Sequence, residues 1–166
     1  MNDVNLGSAA AELIRTCPYA NIATSFEDTP WNTPVSAVAD DELNFYWSSW
    51  VNAVHSQNLI KNPNVFLTLY DSTRPSGTNN FKCLYLQGIA VSVTAKEEIR
   101  KAHELVYPGK ELQLEQFSPD PIKNFYKAIP KVAWLNCLSV RNLTPSTIKM
   151  RVEVSIEEIR RYHQSK

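Results

Sequence analysis

The sequence predicts a mainly β domain of α+β type, a small antiparallel barrel of about six strands with helices at its rim. Three observations predict it. Alternating apolar and polar segments outnumber helical ones along the chain. The connections between them are mostly short turn sequences, which join antiparallel neighbours, whereas parallel strands need long crossovers. The helical segments stand at the ends of the chain or between groups of strands, where they cover a barrel without dividing it.

Each element has a local reason. "GSAAAELIR" reads as a short helix with Ser8 as its N-cap and three alanines supporting it, and Pro18 closes it. "YANIATSF" (19–26) is a strand, because Ala20, Ile22, Thr24 and Phe26 alternate with Tyr19, Asn21, Ala23 and Ser25. "EDTP" is turn chemistry, and "WNTPVSAVA" (31–39) is the return strand of the hairpin. Asp40-Asp41-Glu42 makes a second acidic turn before "LNFYWSS" (43–49). A short helix over 53–61 stops at Asn62-Pro63, since a residue before proline is pushed out of the helical region.

"VFLTLYD" (65–71) and "FKCLYLQGIAVSVT" (81–94) are β-rich, and Gly88 within the second marks a bulge or a close backbone approach. "KEEIRKAHELVY" (96–107) is a helix by composition. Residues 108–130, with Pro108, Gly109, Pro119, Pro121 and Pro130, read as loop with one helix, "IKNFYKAI". "VAWLNCLSVRNL" and "TIKMRVEV" are closing strands, and "SIEEIRRYHQSK" is a polar terminal helix. His103 and His163 fall within charged helices and attract no functional reading.

Composition narrows the function. At 166 residues the chain fits one domain, 1–166, and with 43% hydrophobic and 20% charged residues it has the balance of a globular protein. Lys plus Arg and Asp plus Glu are both 17, which argues against nucleic acid or a membrane surface as partner. No apolar run reaches the roughly 20 residues of a membrane span, and the first residues lack a signal-peptide core. The three cysteines are far apart, which predicts neither a disulfide framework nor a zinc site. Cytoplasm is the expected compartment. Four unclustered glycines leave no phosphate-binding glycine loop, and no serine-hydrolase elbow is present.

The order strand, "TP" turn, strand, then "WSS", "HSQNLIKNPNV" and another strand resembles the FMN-binding split barrel of the pyridoxamine 5′-phosphate oxidase-like family. The likeness covers residues 8–95, with a looser echo in "VRNLTPSTIKM" (140–150). "YDSTRPSGTNNFKCLYLQGIA" is similar to one branch of that family. The resemblance implies a homodimer with flavin bound at the subunit interface. It also implies a phosphate site at Ser48, Ser49 and the start of the following helix. Two hydroxyls beside the free N–H groups of a helix N-terminus suit an anion. The segment "TPVSAV" matches the strand whose backbone runs along the flavin ring.

The chain also departs from the true oxidases. Thr33 and Val38 stand on the second strand, and His55 on the short helix, where those enzymes place basic residues. Their C-terminal substrate motif is not recognisable. Fewer fixed positive charges imply weaker binding of a dianionic phosphate, and pyridoxamine phosphate oxidation is not expected. The candidate cofactor-binding residues are Thr33, Pro34, Val35, Ser36, Trp47, Ser48, Ser49, His55, Asn58 and Arg74, with no catalytic residue and no metal ligand assigned.

Plainer roles stand beside these. Ser48 and Ser49 also fit a helix-entry cap, Trp31, Trp47 and Trp50 fit core or interface aromatics, and Lys61 and Arg74 fit solvated surface. On a helix, His55, Asn58 and Asn62 share one polar face while Leu59 and Ile60 turn toward the barrel. Two functional classes follow: an FMN-dependent oxidoreductase acting on a small or nicotinamide-type partner, or a non-catalytic sensor holding haem or a deazaflavin in the same cleft.

Overall fold

The computed structural model describes residues 5–73, 82–117, 120–136 and 151–165. Helix α1 (Leu6–Thr16) is capped by Asn5, whose side chain accepts from the Ser8 N–H at 2.9 Å. Ser8 is therefore the residue being capped, one turn inside the position expected of it. Strands β1 (Ala20–Phe26) and β2 (Thr29–Val35) form the hairpin. Glu27 and Asp28 between them both have positive φ, 47° and 57°, as a tight two-residue hairpin turn requires.

The return strand is shorter than the sequence suggests. It stops at Val35, and after Ser36 and Ala37 the two-residue β3 (Val38–Ala39) pairs with β4 (Phe45–Trp50) instead. Helix α2 (Val54–Lys61), β5 (Asn64–Tyr70), β6 (Cys83–Ser92) and α3 (Lys96–Val106) follow, then a 3-10 turn at Leu114–Phe117. Strands β7 (Lys123–Asn136) and β8 (Val152–Val154) and helix α4 (Ile156–Gln164) complete the chain.

"IKNFYKAI" is not a helix. It is the first half of β7, and "VAWLN" is the continuation of the same strand. The strand's alternation is masked by a bulge: Gly88 pairs with Pro130 and Gln87 with Val132, so Lys131 has no partner. The extra residue switches the inward phase from Tyr126 and Ala128 to Ala133 and Leu135. Gly88 sits where the strands come closest, since a Cβ there would lie 2.1 Å from the Ile129 carbonyl oxygen. The stretch 140–150, with most of the late strand pair, lies outside the described residues.

The eight strands form one antiparallel sheet in the order β2-β1-β5-β6-β7-β4-β3, with β8 on β7. Six are long and two are short, close to the about six expected. Its two ends, β2 and β3, are separated in sequence by only Ser36 and Ala37. The chain therefore holds the ends together without hydrogen bonds between them, and the sheet curls into a split barrel.

The inward residues Ile22, Phe45, Trp47, Leu67, Leu86 and Leu135 fill its core. A second, smaller core lies on the outer face of β4 and β7, where Tyr46 and Phe125 pack under Ile99 and Ala102 of α3. Helices α1 and α4 pack on each other. Among the described residues no helix is long and apolar enough to cross a membrane.

Candidate cofactor site

Helix α2 lies against β1 and β2, and its polar face turns inward. Asn58 Nδ2 donates to Thr24 Oγ1 at 3.1 Å, and Asn62 Nδ2 donates to the Ser25 carbonyl and hydroxyl oxygens, each at 3.2 Å. Asn62 is extended (φ −140°, ψ 106°), as its place before Pro63 demands. Two of the three polar side chains thus tie the helix to the first hairpin. Leu59 is buried as expected, but Ile60 points away from the barrel and is 69% exposed. The inward stripe is carried by the polar residues, because β1 offers them hydroxyl and carbonyl partners.

His55 is the third member of that face and the exception. It is 5% exposed, and its Nε2 is buried with no hydrogen-bond partner among the described residues. Burial holds the imidazole pKa below the ordinary 6.5, so the ligand-free side chain is neutral at pH 7. The helix start beside it is bare as well. Ala53 is the N-cap and supplies no side-chain bond, and the first helical bond runs from the Gln57 N–H to the Ala53 carbonyl. The N–H groups of Val54, His55 and Ser56 are left without helical acceptors.

The structure separates Ser48 from Ser49. Both lie within β4, opposite Phe125 and Asn124 of β7, and neighbours on a strand project to opposite faces. Neither caps α2, because the turn at 51–53 intervenes. Ser48 faces α3 with Tyr46 and opens into a cavity there. Trp47 is wholly buried and stacks on Tyr126 at 5.6 Å, deep in the barrel core, where it meets no surface-bound ring. The Tyr126 hydroxyl has its pKa raised by burial, with Ser56 opposing.

Strand β2 pairs only with β1, so its outer edge is open, and Pro30 and Pro34 suit an edge strand. Register places Trp31, Thr33 and Val35 opposite Thr24, Ile22 and Ala20, on the inward side; Pro34 projects to the other side. Trp31 Nε1 donates to Thr33 Oγ1 at 2.7 Å. Thr33, Val35, His55 and Asn58 therefore belong to one locality, the β1–β2 hairpin and the helix on it. Trp47 lies in the core and Ser48 opens toward α3, so neither joins them; Ser36 lies in the crossing to β3, and Arg74 lies outside the described residues.

Thr24 and Trp31 complete the locality and were not among the candidates. The signal for Thr24 is a hydroxyl at an inward position of an otherwise apolar alternation. The donor set at the head of α2, three backbone N–H groups and one buried imidazole, fits a phosphate. The open β2 edge fits the polar rim of a flat ring. Fit is weakest in charge, since no lysine or arginine stands among these residues. Among the described residues no cluster of side chains is suited to a metal ion.

The architecture is a split barrel, a fold that pyridoxamine 5′-phosphate oxidase-like proteins also have. No protein-family model and no curated protein matches the chain, while many solved structures match its fold. A haem-binding protein from Mycobacterium smegmatis aligns with a TM-score of 0.68 at 13% identity, over 97% of this chain and 62% of its own. A candidate pyridoxamine 5′-phosphate oxidase from Listeria innocua aligns at 0.60 and 13%, over 78% and 96%. An FAD-binding protein from Mycobacterium smegmatis aligns at 0.57 and 13%, over 76% and 91%. The chain thus spans less than two thirds of the haem-binding protein. Identities this low establish a common fold and nothing finer.

Proposed function

We propose that this protein binds FMN as a homodimer and serves as a flavin-dependent oxidoreductase for a small or nicotinamide-type partner. The observation that carries the reading is His55: a buried imidazole with an unpartnered Nε2 at an uncapped helix start. The N–H groups of Val54, His55 and Ser56 hold the phosphate, aided by the positive end of the helix dipole. His55 takes up a proton as the anion binds, since a neighbouring dianion raises the imidazole pKa that burial lowers. Backbone groups of the open β2 edge at Thr33–Val35 hold the polar rim of the ring.

Bound there, FMN supplies hydride and electron transfer, and the protein's part is to position it and exclude water. A second subunit covers the ring. Exposed Trp31 at the hairpin supports this, together with Ile60 and Val91 beside α2, because such apolar surface suits a two-fold pair. The likeness to a haem-binding protein over 97% of this chain favours haem as a second reading for the same cleft. The absorbance of the protein after loading with each group separates them.

The test is titration of the wild type, His55→Ala and His55→Lys with FMN and with riboflavin, which lacks the phosphate. Loss of the charged hydrogen bond in His55→Ala is expected to weaken FMN about tenfold and leave riboflavin nearly unchanged. Wild-type affinity for FMN is expected to rise as pH falls below neutrality, and His55→Lys to flatten that dependence. Equal losses for the two ligands make His55 structural. A monomer in light scattering at micromolar concentration removes the shared cleft.

A further inference from the structure

A cavity of about 710 Å³ opens between α3, the 3-10 turn at Leu114–Phe117 and the outward faces of β4 and β7, within the size range of small-molecule sites. His103 lies in its wall at 8% exposure, and neither ring nitrogen has a hydrogen-bond partner among the described residues. Tyr107 and Phe125 hold the imidazole edge-on, at 5.7 and 6.2 Å between centroids. They are apolar neighbours that leave its polar atoms to the cavity. The Ser48 hydroxyl, on the strand paired to Phe125, opens into the same space. A ligand that enters the cavity can hydrogen-bond to this oriented imidazole in place of solvent.

The walls indicate the ligand's chemistry. Trp50, Tyr107 and Phe117 give the cavity aromatic surface, and two of these rings already carry a tethered cation. Lys123 Nζ stands 4.4 Å from the Trp50 centroid and Lys110 Nζ stands 5.4 Å from that of Tyr107, so these faces accept positive charge. Glu111, Glu115 and Asp120 also line the cavity. None has an ion-pair partner among the described residues, and Lys123 is the single lining ammonium. Field and surface both favour a flat ring bearing positive charge.

We propose that this cavity binds a small aromatic amine. Its ring lies against Trp50 and Phe117, a ring N–H or hydroxyl meets His103 and Ser48, and its ammonium faces the three carboxylates. The proposal does not rest on the flavin reading. The site lies on the face of β4 opposite Trp47, and the flavin-free protein suffices to test it.

Calorimetric titration with tryptamine, tryptophol and indole-3-acetate decides it, since the three share one ring and differ in charge. Tryptamine is expected to bind best, tryptophol more weakly, and indole-3-acetate least. The surface variant Glu115→Gln/Asp120→Asn is expected to lower tryptamine affinity about tenfold while leaving tryptophol unchanged. Trp50→Ala, at a half-exposed position, is expected to weaken tryptamine and tryptophol alike, by about fivefold or more. Equal binding of the three compounds overturns the proposal, as does no binding at millimolar concentration. So does tryptamine binding that survives both variants, since that places the amine elsewhere.

Discussion

The two faces of β4 are built by different means. On the inward face, Phe45 and Trp47 are completely buried among apolar side chains from β1, β5, β6 and β7. Curling of the sheet closes that face, and packing alone holds it. On the outward face, Tyr46 packs into the smaller apolar core under α3, and polar contacts at its margin add to that packing. Tyr46 Oη donates to Glu98 Oε1 at 3.2 Å, and Lys127 Nζ reaches the same oxygen at 2.6 Å. Lys101 Nζ reaches Asp40 Oδ2 at 2.6 Å.

Burial, with the Asp40 and Glu98 carboxylates beside it, holds the Tyr46 hydroxyl far above its ordinary pKa, so it remains a donor. A helix lying on a strand leaves gaps that a curled sheet does not, and this face accordingly ends in a cavity. The difference separates where stability is stored from where a ligand has room.

Large-to-small substitution sharpens the contrast most. Trp47→Ala is expected to cost about 3–5 kcal/mol in urea unfolding, through lost burial and the void it leaves. On the other face Tyr46→Phe, which removes only the bond to Glu98, is expected to cost about 0.5–1.5 kcal/mol. Similar values for the two would show that the faces do not differ energetically.

Next in size is the ion pair that ties α3 to the β3–β4 turn. Asp40 is 5% exposed and accepts from the Glu42 and Asn44 N–H groups and from the Asn44 amide as well as from Lys101. Lys101→Met leaves the carboxylate three donors and removes a half-exposed cation, so the expected loss is about 1–2 kcal/mol. No loss by thermal unfolding at low salt would mean that the turn's own hydrogen bonds suffice.

Acid tests α2 and the β3–β4 turn separately, with the smallest effects. Burial lowers the His55 pKa. At Asp40 burial acts to raise the pKa, but Lys101 and Asn44 outweigh it and the net shift is downward. Both groups therefore contribute stability that is complete above the unfolded-state pKa and is lost as pH falls toward the folded one. The window opens below about 6.5 for His55 and below about 3.8 for Asp40, each with a slope of at most about 1.4 kcal/mol per pH unit. His55→Gln is expected to flatten the urea midpoint between pH 7 and 5 and leave the lower window intact, while Asp40→Asn does the reverse. A wild-type midpoint that is constant from pH 7 to 5 would show that folding does not shift the His55 pKa.

The sequence by itself determined what local chemistry controls. Alternation located the strands, Pro63 ended α2, and Gly88 marked the closest strand approach, because each follows from backbone sterics within a few residues. Tertiary structure alone decided the facing of side chains and the choice between competing periods. β7 reads as a helix locally, since the unpaired Lys131 breaks its alternation at a bulge that exists only against β6. Ser48 and Ser49 read as one hydroxyl pair at a helix entry, but both lie within β4, whose alternation sends them to opposite faces. His55 reads as a member of a polar helix face distinct from the barrel-facing Leu59 and Ile60, but Thr24 and Ser25 draw that polar face inward and bury it. His103 reads as one polar residue of a charged helix, although its place four residues after Ile99 sets it on the apolar stripe. Its cavity needs α3, β4 and β7 together. A residue's partners come from elements distant in sequence, and burial, pKa and an unbonded nitrogen are properties of those partners.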